Sequence, residues 1–145
     1  MIYIGADKHG FDVIQFVEEW LNKNGMNYEN IGVENKKQEL PLENLLPPIA
    51  EKLNGDENNK AIVCCGTGIG VEVGINKFSG VRAALVDDPE AAGWATIYDK
   101  CNAICLIGWR KNRKKVFSIL NSWFNTEYDG SKDRLKMFEE FNTWH

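Results

Sequence analysis

Histidine is almost missing from this chain: its 145 residues include two, His9 and His145. A hydrolase built on a thiol and an imidazole would have to draw on His9, because His145 stands at the far end of the sequence. Long apolar runs are missing too, and none approaches the roughly 18 residues a membrane helix needs. There is no excess of basic residues: 17 Lys and Arg stand against 21 Asp and Glu, for a net charge of −4. That balance leaves no broad basic field and argues against a nucleic-acid partner. The opening Met1-Ile2-Tyr3-Ile4-Gly5 carries no charged leader and reads as a first strand, so the expected location is the cytoplasm. The four cysteines are Cys64, Cys65, Cys101 and Cys105. Adjacent Cys64 and Cys65 point to opposite faces of a strand, which argues against a disulfide framework. No second pair of soft ligands stands at zinc-like spacing, so neither a metal nor another cofactor is expected. Repeats, low-complexity tracts and linkers are absent, and the 43% apolar content suits one domain over residues 1–145.

What is present alternates strand and helix. Ile2–Gly5 reads as a strand, and Val13, Ile14, Val17, Trp20 and Leu21 recur at helical spacing before Gly25. Asn27–Ile31 is a weaker strand. Pro47 and Pro48 are read as opening a helix through Ala50 and Leu53 to Gly55. A strand at Ala61–Cys65 precedes a helix from about Gly68 to Phe78, and Val81–Val86 forms a fourth strand. Asp87-Asp88-Pro89 supplies a cap and an early proline for a helix over Pro89–Tyr98. Ala103–Ile107 is a fifth strand, Val116, Ile119, Leu120, Trp123 and Phe124 mark a long helix, and a last helical segment covers Arg134–Phe141. Such βαβ units predict an α/β fold: a three-layer, doubly wound, Rossmann-like domain on a five-stranded parallel sheet, with ligands at the carboxyl ends of the strands. The loops at Ala6–Gly10, Gly66–Gly70 and Asp87–Pro89 are expected to converge there.

The chemistry concentrates in Ala61-Ile-Val-Cys-Cys-Gly-Thr-Gly-Ile-Gly70. A buried strand runs into a loop whose glycines leave backbone N–H groups open to an anion. Cys65 puts a reactive sulfur at its rim. No Gly-Lys-Ser/Thr follows, which excludes a Walker loop, and Val71 stands where a dinucleotide fingerprint needs its third glycine. Thr67 occupies the place of the serine in a Gly-x-Ser-x-Gly elbow.

Several strings resemble the ribose-5-phosphate isomerase B family, which also contains the galactose-6-phosphate isomerase subunits. They are Gly5-Ala-Asp-Lys-His-Gly10, Cys65-Gly-Thr-Gly-Ile-Gly70, Asn76-Lys77, Gly80-Val-Arg-Ala-Ala-Leu85, Asn102, Gly108-x-Arg110 and Thr126-Glu-Tyr-Asp-Gly130. The resemblance is nearly full length. It implies aldose–ketose isomerisation of a pentose or hexose phosphate through a cis-enediol, without metal, with Cys65 as the base. Thr67 and the amides of Gly66, Gly68, Ile69 and Gly70 would stabilise the developing charge, and Asp7 would hold a sugar hydroxyl. It also implies a homodimer, or a dimer of dimers, with sites shared between subunits, the helical tail from about residue 126 contributing to the dimer.

The departures are specific. The family's ring-opening histidine falls at Tyr98 or Asp99, which are the candidates to act as acid or base there. Lys8 replaces the first-loop histidine, with His9 one place later. Lys132 and Lys136 replace two phosphate-binding arginines, keeping the charge but losing bidentate geometry. Arg110 remains as a third phosphate contact. Each residue also has a plainer reading: Cys65 as a buried thiol, the glycines as a tight turn, Asp7 as a loop cap, Tyr98 as packing, and the lysines as ordinary surface charges. Two other functions stay open. One is a phosphosugar-binding relative that is inactive or needs a partner subunit; the other is a flavin- or nucleotide-binding module using Trp94 and Tyr98.

Overall fold

Apolar and β-branched runs form the strands, and amphipathic stripes form the helices that cover them. In chain order the elements are β1 (Ile2–Ala6), α1 (Phe11–Lys23), β2 (Tyr28–Asn30), α2 (Leu42–Asn54), β3 (Lys60–Cys65), α3 (Ile69–Ile75), β4 (Ala83–Leu85), α4 (Pro89–Ile97), β5 (Ala103–Ile107), α5 (Arg113–Asn125) and α6 (Lys132–Phe141). This computed structural model describes residues 1–144, and His145 lies outside the described residues. The five strands are parallel and lie in the order β2-β1-β3-β5-β4. One core packs α1, α4 and α5 on one face, and a second packs α2 and α3 on the other. The expected three-layer α/β arrangement is therefore the one found.

Alternation along β3 divides the two cores. Ile62 and Cys64 join the α1/α4/α5 side, whereas Ala61, Val63 and Cys65 join the α2/α3 side. Ile4, Ile62 and Ile104 are in register across three strands and have no exposed surface. Burying each contributes about 1.5–3 kcal/mol. A slip of one residue would exchange the cores, so the register that brings Cys65 to the α2/α3 face is strongly held.

Two expectations need correction. Pro47 and Pro48 lie inside α2, which begins at Leu42 with Pro41 as its N-cap. The prolines remove amides that would bond the carbonyls of Glu43 and Asn44, but both of those residues are exposed and water reaches them. Extending the helix lets Leu45 and Leu46 join Ile49, Ala50 and Leu53 in the core. In addition, α3 ends at Ile75 rather than Phe78. Asn76 turns away to the free edge of β4, where it accepts from the Ala83 N–H at 2.9 Å and donates to the Ala83 carbonyl at 2.9 Å. Glu72 accepts from the Leu85 N–H at 2.9 Å. These two side chains occupy the donors and acceptors that another strand would use.

Asn76→Ala should therefore cost about 1 kcal/mol of stability and lower the melting temperature by about 3 °C. Lys77→Ala should leave it unchanged; both are read from thermal denaturation by circular dichroism.

Candidate active site

Parallel strands send their following loops to one edge of the sheet, and the chain changes winding direction between β1 and β3. At that carboxyl edge the loops after β1, β3 and β5 are in main-chain contact. The Asp7 N–H donates to the Cys64 carbonyl at 3.3 Å, Gly108 to Cys65 at 2.8 Å and Trp109 to Gly66 at 3.0 Å. A Cβ on Gly108 would lie 2.4 Å from the His9 carbonyl oxygen and 2.6 Å from that of Cys65. One on Gly10 would lie 2.6 Å from the Cys64 oxygen.

Cys65 ends β3 with 5% of its surface exposed. Its Sγ lies 3.8 Å from where a Cβ on Gly70 would be, so the sulfur packs against the glycine loop at the start of α3. Gly68 has φ +74°, and a Cβ there would also meet the Leu106 carbonyl at 2.9 Å, so glycine is required twice over. The Thr67 Oγ1 accepts from the Ile69 N–H at 3.1 Å. One amide expected to face a ligand is thus already used, while the Thr67 hydroxyl keeps a proton to donate. Burial pushes the Cys64 and Cys105 thiols well above the ordinary value of 9.0, and it pushes Cys101 up to about 12, with Asp99 adding to the effect.

The first loop is held by Asp7, whose Oδ1 accepts from the His9 and Gly10 amides at 2.9 and 3.2 Å. Its second carboxylate oxygen is left over. Lys8 is ion-paired to Glu39 at 2.6 Å, and Arg110 to Asp87, which Lys115 also approaches at 3.3 Å. His9 is exposed, its ring edge-on to Trp109 with centroids 6.0 Å apart. Trp109 was not singled out by sequence reasoning. Its indole covers Gly66, where a Cβ would come within 2.5 Å of the ring. The available signal was an aromatic residue inside Gly108-x-Arg110, followed by a basic run.

The remaining candidates lie at the opposite edge. Tyr98 and Asp99 precede β5, and the backbone carbonyls of Asp99 and Lys100 accept from the Arg82 guanidinium. Helix α6, bearing exposed Lys132 and Lys136, joins the same amino edge through Asn142, which bonds Ser79 and Gly80, and through Phe138 under Arg82. The Arg134 guanidinium lies 5.5 Å over the Tyr98 ring. From Ala61 to Cys65 the strand spans about 13 Å, so this group does not reach Cys65 within one chain. A groove of about 540 Å³ also lies on the amino side, lined by Arg82, Asp99, Cys101, Phe138, Phe141 and Trp144 among others, and Cys65 is not part of it. Among the described residues, no group of three or more His, Cys, Asp or Glu gathers as a metal cage. None of their helices is long and apolar enough to cross a membrane.

A family profile described as Ribose/Galactose Isomerase matches residues 2–138. A 4-deoxy-4-sulfo-D-erythrose isomerase from Clostridium sp. (strain MSTE9) is 32% identical over 108 residues, covering 74% of this chain and 68% of that protein. A ribose-5-P isomerase B from Listeria innocua is 27% identical over 141 residues, covering 94% and 91%. The crystal structure of a ribose 5-phosphate isomerase from Thermotoga maritima superposes with a TM-score of 0.91 at 23% identity, covering 99% of this chain and 97% of the other, which shows the same fold.

The buried thiols make stability depend on alkaline pH. Cys101 holds its proton in the folded chain well beyond the ordinary 9.0, so the unfolded chain ionises first. Its contribution is whole below that value and is lost as pH rises from there toward about 12. Between about pH 8 and about pH 10, Cys101→Ala should remove about 1 kcal/mol of the alkaline loss in urea-unfolding free energy.

Proposed function

The chain belongs to the ribose/galactose isomerase family, and from that premise we propose that it interconverts an aldose and a ketose bearing a terminal phosphate, with Cys65 as the base. The observation that carries this reading is the Cys65 sulfur set against the glycine loop at Gly70, at the carboxyl end of β3 where the loops after β1, β3 and β5 meet. As thiolate, the sulfur removes the proton from the carbon beside the carbonyl and returns it to the neighbouring carbon, through a cis-enediol. The Thr67 hydroxyl and the amides of Gly66, Gly68 and Gly70 donate to the oxygen on which charge develops. The free oxygen of Asp7 takes a sugar hydroxyl. His9, Lys8 and Arg110 receive the phosphate, the ion pairs of Lys8 and Arg110 exchanging for it at small cost.

Completion of the site falls to a second copy. Tyr98, Asp99, Lys132 and Lys136 lie on the amino side of their own sheet, so in a two-fold dimer they serve the partner's Cys65. Ile69 and Val73, one helical turn apart on α3, are 55% and 57% exposed and give such a dimer an apolar contact beside the loop. Binding of a phosphosugar without turnover is the second reading, favoured by the 5% exposure of Cys65.

In deuterated water, sugar phosphates should take up deuterium at the carbon beside the carbonyl. Cys65→Ala should slow this by about 10²–10⁴-fold while phosphate binding persists; exchange that survives the substitution rules out the sulfur as base. Binding without exchange selects the second reading. For the shared site, inactive Cys65→Ser and the double variant Lys132→Ala/Lys136→Ala are mixed and allowed to re-form dimers. Native sites should return to about a quarter of the total, and no recovery on mixing argues against sharing.

A further inference from the structure

At the carboxyl edge the indole of Trp109 stands at one end of the glycine loop and the Cys65 sulfur at the other. The first lies against Gly66 and the second against Gly70. The Trp109 backbone is fixed there: its main-chain N–H donates to the Gly66 carbonyl at 3.0 Å, and its chain neighbour Gly108 is wedged between the loops of β1 and β3. Yet 64% of the residue is exposed, with His9 edge-on to it at 6.0 Å. An exposed indole at the end of the loop opposite the sulfur acts as a wall that limits how long a substrate can lie along the loop.

The charged groups of this edge are mostly committed. Asp7 spends one oxygen on the turn, Lys8 faces Glu39, and Arg110 and Lys115 share Asp87. Opening a cyclic sugar needs a proton donor at the ring oxygen together with an acceptor at the anomeric hydroxyl. His9 is the one imidazole among the described residues and its ring is turned toward the indole; Tyr98 and Asp99, the groups a second copy would bring, supply no imidazole, and the Tyr98 ring already lies under the Arg134 guanidinium. A base, a hydroxyl donor and a short shelf suit a sugar that is already open. A four-carbon aldose blocked at carbon 4 is such a sugar, because it has no free hydroxyl placed to close a five-membered ring. We propose that Trp109 sets the chain length of the site, and that the substrate is an acyclic four-carbon aldose or ketose ending in a phosphate or sulfonate. This rests on the isomerase reading above and narrows it.

The test compares D-erythrose 4-phosphate, 4-deoxy-4-sulfo-D-erythrose and D-ribose 5-phosphate as substrates. At least one four-carbon substrate should exceed ribose 5-phosphate in kcat/KM by about 100-fold, and the faster of the two identifies the terminal group. Trp109→Ala, at an exposed position compatible with folding, should narrow that ratio by at least about tenfold, mainly by improving the pentose. Trp109→Phe should keep the preference. A preference for ribose 5-phosphate, or a ratio unmoved by Trp109→Ala, overturns the chain-length proposal while leaving the isomerase reading intact. Failure of all three sugars to isomerise or to exchange with solvent deuterium overturns the chain-length proposal, and the same failure with hexose 6-phosphates added overturns the isomerase reading as well.

Discussion

Main chain meeting main chain without intervening side chains holds the carboxyl edge of the sheet together. Gly10, Gly66 and Gly108 each sit where a Cβ would come within 2.6 Å of a neighbouring atom. At 10 and 108 those atoms include backbone carbonyl oxygens, which cannot rotate aside as a side chain can. The loops after β1, β3 and β5 therefore keep their spacing through hydrogen bonds of the backbone itself. Cys65 inherits its place from this contact and from the β3 register that turns its side chain to the α2/α3 core. Apart from Asp7, which caps the first loop, neither draws on a charged side chain.

That independence frees the charged side chains. Lys8 with Glu39, and Arg110 with Asp87, are pairs on accessible surface. Pairs of this kind are worth about 0–1 kcal/mol and exchange readily for a stronger anion. The edge thus combines a floor held by the main chain with an adjustable rim of charge. The opposite edge is built differently: Arg82, Arg134, Tyr98, Tyr128 and Phe138 stack cations on rings, and the Ser79–Gly80 turn is tied to Asn142. In the shared-site reading the two edges meet across a two-fold axis.

Local pattern made much of this legible. Ala103–Ile107 is the strand its apolar run predicts, and Asp88 caps α4 with Pro89 at its first turn. The opposite directions of Cys64 and Cys65 follow from strand alternation alone. What escaped depends on contacts between distant positions. Two prolines mark a helix start only if the burial of Leu45 and Leu46 ahead of them is left out. The stacking of Trp109 on Gly66 joins two loops with no shared periodicity. The separation of Tyr98 and Asp99 from Cys65 was implicit in strand direction, since residues just before a parallel strand lie at its amino end. Aligning motif to motif does not use that direction.

The side chains of Asn76 and Glu72 along β4 bear on how copies of this chain can associate. A sheet border with free amides invites any extended peptide, because main-chain pairing is blind to sequence. Here that invitation is withdrawn by the chain's own residues. Association on this flank must be negotiated through shape and side-chain identity rather than by adding a strand.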